Sequence, residues 1–229
     1  MNQNYFSKKP EDYRHPGPDN YDLIGAMQFN LLTALGLREH HKLLDIGCGS
    51  LRAGRLFMTY LNRGNYCAIE PEKQLVEDGI NYEIGACMVH LKEPRFEYSY
   101  DFPIASFGEK FDFMVAHSIF THASQEQILQ CLKKAEQNLK PSSDDTRGGF
   151  LAATFCIGKK DYKGKEWLYP GKTKIGFAEY TEKCIARMAQ ESNLAYKKID
   201  WAHPHGQKWV VFGNARDIEQ LNVPTYFAK

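Results

Sequence analysis

The feature that most constrains the fold of this chain is a regular alternation of short apolar runs and segments with helical periodicity. The apolar runs lie at 42–46, 66–69, 96–100, 111–116 and 149–156, and the helical segments at 52–61, 72–84 and 124–139. Strands that alternate with helices form βαβ units, whose right-handed crossovers place the strands parallel in one sheet. The sequence therefore predicts a doubly wound α/β fold with a mostly parallel sheet.

Both ends of the chain depart from this alternation. The remaining predicted elements are an N-terminal arm and helix (1–40), an insertion or lid (157–177), a helix (181–192) and two strands (195–201 and 208–212). Because only a short turn separates the last two strands, we expect an antiparallel hairpin at the sheet edge. The length of 229 residues suits a single domain spanning 1–229.

Composition limits the partners of the chain. The formal net charge is +1, so nothing indicates a nucleic-acid binder or a membrane-surface protein. The N-terminal stretch is polar, and no apolar run is long enough to span a bilayer. The six scattered cysteines and the histidines lack metal-ligand spacing, so we predict reduced thiols, no metal site and a cytoplasmic protein. A homodimer through the N-terminal segment stays open.

The turn after the first predicted strand is the most informative motif. Residues 43–54 read LLDIGCGSLRAG. A glycine turn between a strand and a helix is typical of nucleotide sites, but the three-glycine dinucleotide fingerprint has Arg52 in place of its third glycine. Asp45 stands at the mouth of the turn and would repel a pyrophosphate. The motif therefore favours a ligand with positive charge and no phosphate, such as S-adenosylmethionine, over NAD.

Two further charged residues flank this turn. Glu70 ends the second predicted strand, in the stretch YCAIEP, where an acid can accept both hydroxyls of a ribose. Both NAD and S-adenosylmethionine carry such a ribose, so Glu70 alone does not discriminate between them. Arg52 is a cation at a helix N-terminus, which is slightly unfavourable without a partner such as a cofactor carboxylate or Asp45.

Three motifs of the chain resemble those of a known family. LLDIGCGSLRAG, AIEP and FDFMVAHSIFTH resemble motifs of class I S-adenosylmethionine-dependent methyltransferases, in particular the small-molecule group whose first loop reads GCGSLR. The resemblance covers residues 20–156 and, more loosely, the C-terminal part through HPHGQKWVVF. It implies a Rossmann-like, mostly parallel seven-stranded sheet with an antiparallel C-terminal edge strand, in agreement with the predicted hairpin.

The resemblance also implies which residues hold the cofactor. Those that would line the methionine part are Asp45, Gly47, Cys48 and Gly49, with His117 and Ser118 approaching its end. Those that would hold the ribose and the adenine are Glu70, Pro71, Asp101 and Phe102. We add Arg52 to this set for the electrostatic reason given above.

The sequence offers one main candidate for a catalytic base. Methyl transfer is a displacement in which the protein mainly positions the attacking atom, and an oxygen or nitrogen nucleophile is assisted by a base with a pKa near 7. His122 lies just beyond the fourth predicted strand, at the end of the sheet where ligands bind. His203 and His205 are weaker candidates, because a turn between edge strands usually lies away from the cofactor. Tyr13 and Arg14 of the arm are candidates to fold over the site.

The sequence therefore predicts a methyltransferase that uses S-adenosylmethionine to methylate a small molecule, at an oxygen of a sugar or secondary metabolite. Only the resemblance supports that acceptor. The alternatives are an RNA or protein methyltransferase, a non-catalytic S-adenosylmethionine-binding protein and an NAD-dependent oxidoreductase. The lysines and aromatic residues of 157–177, among them Tyr162, Trp167 and Tyr169, are either a solvated face or a lid over an acidic substrate.

Overall fold

A computed structural model of the chain describes residues 9–14, 19–168 and 176–223. Its contacts divide the chain into two compact units, Met1–Pro103 and Ile104–Lys229, which we call the first and the second unit. Each unit combines strands with helices.

The first unit is built on three parallel strands in the order β3-β2-β1. The strands are β1 (Leu43–Ile46), β2 (Tyr66–Ile69) and β3 (Arg95–Glu97). The helices are α1 (Pro10–Tyr13), α2 (Tyr21–Ala34), α3 (Gly54–Tyr60), α4 (Lys73–Gly79) and α5 (Ala86–Lys92), with a π-helical turn at Ile80–Ile84. Every residue of β1 and β2 is buried, as expected for parallel strands covered on both faces. Ile46 pairs with Ile69, so β1 and β2 end side by side.

The second unit contains both parallel and antiparallel pairs. Its strands are β4 (Phe113–Ala116), β5 (Phe150–Ile157), β6 (Glu179–Tyr180), β7 (Ala195–Ile199) and β8 (Lys208–Gly213). Its helices are α6 (Gln125–Asn138), α7 (Glu182–Glu191) and α8 (Ala215–Glu219), with a 3-10 turn at Ile104–Phe107. Strands β4 and β6 pair with β5 in parallel, whereas β8 pairs antiparallel with β5 and with β7.

Helix α6 shows how local sequence sets an element in place. The Ser124 side chain accepts a hydrogen bond from the Gln127 amide, and the Gln127 side chain accepts one from the Ser124 amide. This capping box satisfies two amides that the first helical turn leaves without partners. The residues of α6 that reach the core recur at helical spacing and are Ile128, Cys131, Leu132 and Ala135.

These elements confirm the predicted fold class, a mostly parallel α/β fold with antiparallel C-terminal strands. The described residues form eight strands where the resemblance implies seven, because the two-residue strand β6 follows the predicted insertion. Within the described residues, no helix is long and apolar enough to cross a membrane.

The structure departs from the predicted elements at several points. The third strand is Arg95–Glu97 rather than 96–100. The helix predicted at 72–84 changes to π-helical geometry after Gly79, and helix α5 was not predicted because none of its residues is buried. The arm contains the short helix α1, whose first turn is favoured by Pro10 and by the bond from the Lys9 amide to Asp12.

Candidate functional site

The loop between β1 and α3, residues 47–53, is the first candidate element, and we call it the first loop. Gly47 and Gly49 have φ angles of 74° and 55°, a region that glycine adopts without strain. The amides of Gly47 and Cys48 donate to the carbonyl of Ile69 at 2.7 and 3.3 Å. These amides are therefore directed at the neighbouring strand, whereas a phosphate-binding loop directs its amides outward.

Glu70 closes the first loop from the end of β2. Its Oε2 accepts a hydrogen bond from the Gly49 amide at 2.9 Å, and its Oε1 accepts one from the Glu72 amide at 3.0 Å. The residue is buried, and this burial raises the pKa of its carboxyl group. Each carboxylate oxygen keeps a second lone pair, so the group can accept two further hydrogen bonds from hydroxyls.

Asp45 lies beside the first loop in a buried polar contact. The hydroxyl of Tyr66 donates to its Oδ2 at 2.8 Å. Burial raises the pKa of Asp45 to about 7, while the Tyr66 hydrogen bond and the charge of Arg52 act in the opposite direction. Gly54 makes room for this contact, because a Cβ at that position would lie 2.4 Å from the Tyr66 hydroxyl.

The described part of the N-terminal arm packs on the first unit. The ring of Tyr13 stacks on that of Tyr82, with 4.8 Å between their centroids. Arg14 donates to Glu83 at 2.6 Å, and its guanidinium carbon lies 4.7 Å from the centroid of the Tyr21 ring. The two arm residues that the sequence singled out are thus fixed against the helices of this unit.

Tyr21 connects this packing to the first loop. Its hydroxyl donates to the carbonyl of Ser50 at 2.7 Å and lies 3.1 Å from the Ser50 Oγ. Burial raises the pKa of Tyr21 to about 12, so the hydroxyl keeps its proton. Tyr21 therefore contacts the arm through its ring and the first loop through its hydroxyl.

Three residues other than glycine have positive φ angles in segments that were predicted to hold the cofactor. They are Leu51, Phe102 and Ser118, with φ angles of 62°, 49° and 61°. This region costs energy for residues with a Cβ, and such strain concentrates at functional sites. Phe102 is buried, Asp101 beside it is exposed, and Pro71 is half-buried.

In the second unit, His117 and Ser118 directly follow β4. The Nε2 atoms of His117 and His203 lie 2.8 Å apart, so the structure brings the turn before β8 against the end of β4. The Ser118 amide donates to Thr154 Oγ1 at 2.7 Å, and its hydroxyl accepts from Gln207 Nε2 at 2.8 Å. His117 and Ser118 are thus held by residues of β5 and of the turn before β8.

His122, the predicted base, lies in the loop between β4 and α6. The residue is half-buried, and burial lowers the pKa of its imidazole. Its Nδ1 is buried and has no hydrogen-bond partner in the part of the chain that the structure describes. The ring lies 5.2 Å from that of Phe177, centroid to centroid.

The predicted lid (157–177) and Ala178, the residue after it, are bonded to this same loop. The Leu168 amide donates to the His122 carbonyl, and the Ala178 amide donates to the Thr121 carbonyl, each at 2.7 Å. The described lysines of the segment, Lys159, Lys160, Lys163 and Lys165, are exposed, which fits the solvated-face interpretation. Tyr169 lies outside the described residues.

Several residues of these sites were not singled out from the sequence. They are Tyr21, Tyr66, Gln207 and Trp209. Tyr66 could have been found, because it begins β2 and pairs with Leu43 two residues before Asp45. Gln207 and Trp209 carried only a weak signal, as polar and aromatic residues next to a Pro/His/Gly turn. Within the described residues, no group of three or more His, Cys, Asp or Glu side chains is placed to hold a metal ion.

No protein-family profile matches the sequence, but solved structures resemble the fold. Magnesium protoporphyrin IX methyltransferase from Synechocystis, with bound SAH, superposes with a TM-score of 0.57 at 11% identity over 86% of each chain. An S-adenosylmethionine-dependent methyltransferase from Clostridium acetobutylicum has a TM-score of 0.57 at 12% identity, over 85% of this chain and 91% of its own.

A third structure is the human N-acetylserotonin methyltransferase in complex with SAM. It superposes with a TM-score of 0.55 at 12% identity, over 83% of this chain and 51% of its own. At such identities the likeness concerns the fold alone. The chain therefore has the Rossmann-like fold found in S-adenosylmethionine-dependent methyltransferases.

Proposed function

We propose that this protein is an S-adenosylmethionine-dependent methyltransferase that acts on a small molecule, at an oxygen of a sugar or secondary metabolite. Solved methyltransferases share its fold, and two of them hold SAH or SAM. These two are named for small acceptors, a magnesium porphyrin and N-acetylserotonin. The fold alone does not select a cofactor, so the argument rests on the first loop.

The observation that carries the proposal is the set of hydrogen bonds that the backbone amides of the first loop donate. The amides of Gly47, Cys48 and Gly49 donate to the Ile69 carbonyl and to Glu70. A pyrophosphate needs such donors, and here they are already used. Two buried carboxyl groups flank the loop instead, Asp45 in β1 and Glu70 at the end of β2, and these suit a cationic ligand that carries a ribose.

The residue roles follow the chemistry of that ligand. The residues proposed to contact it are Asp45, Gly47, Cys48, Gly49, Arg52, Glu70, Pro71, Asp101, Phe102, His117 and Ser118. Glu70 would accept the two ribose hydroxyls through its remaining lone pairs. Asp45 would face the positive charge of the methionine part, which favours the ionised carboxylate.

His122 is the proposed base for the acceptor hydroxyl. When bound, S-adenosylmethionine supplies a methyl group on a positively charged sulfur, which an oxygen can attack in line. Burial lowers the pKa of His122, so its imidazole is neutral near pH 7 and can take the hydroxyl proton as the oxygen–carbon bond forms.

Calorimetric titration with S-adenosylmethionine and, separately, NAD tests the proposal. We expect S-adenosylmethionine to bind and NAD not to bind. Replacing Glu70 by Ala should weaken binding by about 1.5–3 kcal/mol, because hydrogen bonds to a charged group are lost. The control is Glu77→Ala, which removes an acid that pairs with Lys73 on the surface of α4. Binding of NAD, or of neither ligand, would contradict the proposed function.

A further inference from the structure

A cluster of polar side chains in the second unit surrounds His117 and Ser118, and its four other members have no role in the assignments above. Its members follow β4, lie in β5, lie in the turn before β8 or begin β8, and they are His117, Ser118, Thr154, His203, Gln207 and Trp209. The rings of His117 and Trp209 lie 5.6 Å apart, centroid to centroid, and Thr154 pairs with Trp209 across β5 and β8. We call this set the histidine cluster. None of its side chains carries a fixed charge, because each is a hydroxyl, an amide, an indole or an imidazole.

Hydrogen bonds within the cluster fix one histidine tautomer. The amide of His205 donates to His203 Nδ1 at 3.2 Å, so that nitrogen carries no proton. A neutral His203 therefore carries its proton on Nε2 and donates it to His117 Nε2, 2.8 Å away. A single N–H···N hydrogen bond therefore links the two imidazoles.

Two buried polar atoms of the cluster make no hydrogen bond within the described residues. Gln207 uses its Nε2 to donate to Ser118, while its Oε1 has no hydrogen-bond partner within residues 9–14, 19–168 and 176–223. The same holds for Trp209 Nε1 over these ranges. Gln207 is 3% exposed and Trp209 is fully buried, so bulk water does not satisfy either atom. Native proteins rarely leave such buried groups unpaired, so each of the two atoms calls for a partner.

We infer that the histidine cluster is the binding site for the methyl acceptor, and that the acceptor is an uncharged molecule with neighbouring hydroxyls, as in a sugar. This inference rests on the proposed function. One hydroxyl donates to Gln207 Oε1, and an adjacent oxygen accepts from Trp209 Nε1. An acceptor site without fixed charges favours a neutral ligand, because a charged group would lose its hydration without gaining a counter-charge.

As part of this proposal, the ligand enters at the turn that carries His203. Its residues His205 and Gly206 are exposed, and Gly206 has a φ angle of 70°. The ligand reaches the two unpaired atoms when this turn lifts and His203 leaves His117. Specificity for hydroxyls then follows, because a ligand without them would leave Gln207 and Trp209 unpaired.

Nuclear magnetic resonance of the indole N–H groups tests the inference on the wild-type protein. The chain has three tryptophans, so its ¹⁵N-labelled form gives three indole signals, and Trp209→Phe assigns one of them. With SAH present, methyl β-D-glucopyranoside should shift the Trp209 indole proton downfield, as expected when it gains an acceptor. The matched probe is 2-methoxytetrahydropyran, which has the same ring without hydroxyls and should leave that signal in place.

A second variant measures the other half of the contact. Gln207→Met should weaken glucoside binding by about fivefold, the size of one neutral hydrogen bond. Gln190→Met, at an exposed position of α7, is the control and should leave binding unchanged.

Two results separate failure of this inference from failure of the proposed function. If SAH shifts the amide signals of Gly47 and Gly49 while the glucoside leaves the Trp209 indole unmoved, the acceptor site is refuted and the methyltransferase proposal stands. If SAH leaves both glycine amides unmoved, the proposed function itself is overturned. An equal response to both probes would also refute the acceptor site, because the hydroxyls would then contribute nothing.

Discussion

At Asp45, the ionised carboxylate that the proposed function needs lowers the stability of the folded protein. It accepts one hydrogen bond, from Tyr66, in a site that excludes water. Burial raises its pKa to about 7, far above the ordinary value of an aspartate. The ionised form therefore costs stability in the unliganded protein, and a cationic ligand would recover that cost.

This pKa predicts the pH dependence of cofactor binding. A cation binds the ionised form of Asp45, so affinity for S-adenosylmethionine should rise as the pH increases through about 7 and level off above it. Near pH 7, binding should also release protons, because the ligand drives the ionisation of Asp45. Calorimetry in two buffers with different ionisation enthalpies measures that release.

Asp45→Asn is the control for this prediction. The amide oxygen can still accept from Tyr66, but the side chain no longer titrates. The variant should bind S-adenosylmethionine weakly, with no release of protons near pH 7. Because a raised pKa in the folded state means that stability is lost as the pH rises from about 4 to about 7, the variant should also lose that slope. A wild-type affinity that is flat between pH 6 and 8 would contradict the assignment.

At the same scale, the sequence predicted the charged residues of the site better than the groups that form hydrogen bonds with them. Asp45 and Glu70 stand out because acids at the ends of apolar strands have few structural reasons to be there. The bond from the Gly49 amide to Glu70 could not be predicted, since it depends on how far the turn folds back onto β2. His203 was a weaker candidate because a turn between edge strands usually lies away from the cofactor, whereas here the turn before β8 brings it to His117.

At the scale of elements, the first loop is held by close backbone contacts at two glycines. A Cβ on Gly25 of α2 would lie 2.6 Å from the carbonyl oxygen of Arg52. A Cβ on Gly79 of α4 would lie 2.5 Å from that of Ser50. The loop is thus confined between two helices, in addition to the hydrogen bond from Tyr21.

This confinement reverses the usual effect of replacing a helical glycine by alanine. In a free helix the change gains about 1 kcal/mol, whereas a clash with rigid backbone costs roughly 1–3 kcal/mol. We expect Gly25→Ala to lower the free energy of unfolding by about 1 kcal/mol and to weaken cofactor binding, because Arg52 must move. Urea unfolding and calorimetry measure the two effects.

Asn30→Ala provides the matched comparison on the same helix. Asn30 is exposed, so this variant should be neutral or slightly stabilising and should bind the cofactor normally. If Gly25→Ala behaves like Asn30→Ala, the close approach of α2 does not constrain the first loop.

The helices and strands could be predicted where their buried residues follow a regular pattern along the sequence. Strand β2 was predicted at Tyr66–Ile69, because its four buried residues form an unbroken apolar run. Helix α6 was found from its capping box. Helix α5 was missed, since it has no buried face to produce a pattern. The π-helical turn before it ends at Ile84, where the predicted helix 72–84 also ends, and Gly85 follows with a φ angle of 84°.

At the scale of the whole molecule, the open question is whether the two compact units unfold as one domain, as the sequence predicts. The three tryptophans of the chain are Trp167, Trp201 and Trp209, and all belong to the second unit. Asp45 and Glu70 belong to the first. Tryptophan fluorescence therefore reports on one unit, while a change at Glu70 is made in the other.

If the chain unfolds as a single domain, every probe should report the same unfolding transition. Thermal unfolding followed by tryptophan fluorescence and by circular dichroism should give the same midpoint. SAH at a hundredfold excess over its dissociation constant should raise that midpoint, in line with about 2.7 kcal/mol of added stability. Glu70→Ala should reduce the shift seen by tryptophan fluorescence, although the substitution lies in the other unit. Midpoints that differ between the two probes without ligand would instead show that the units unfold separately, and residues 1–229 would then form two domains.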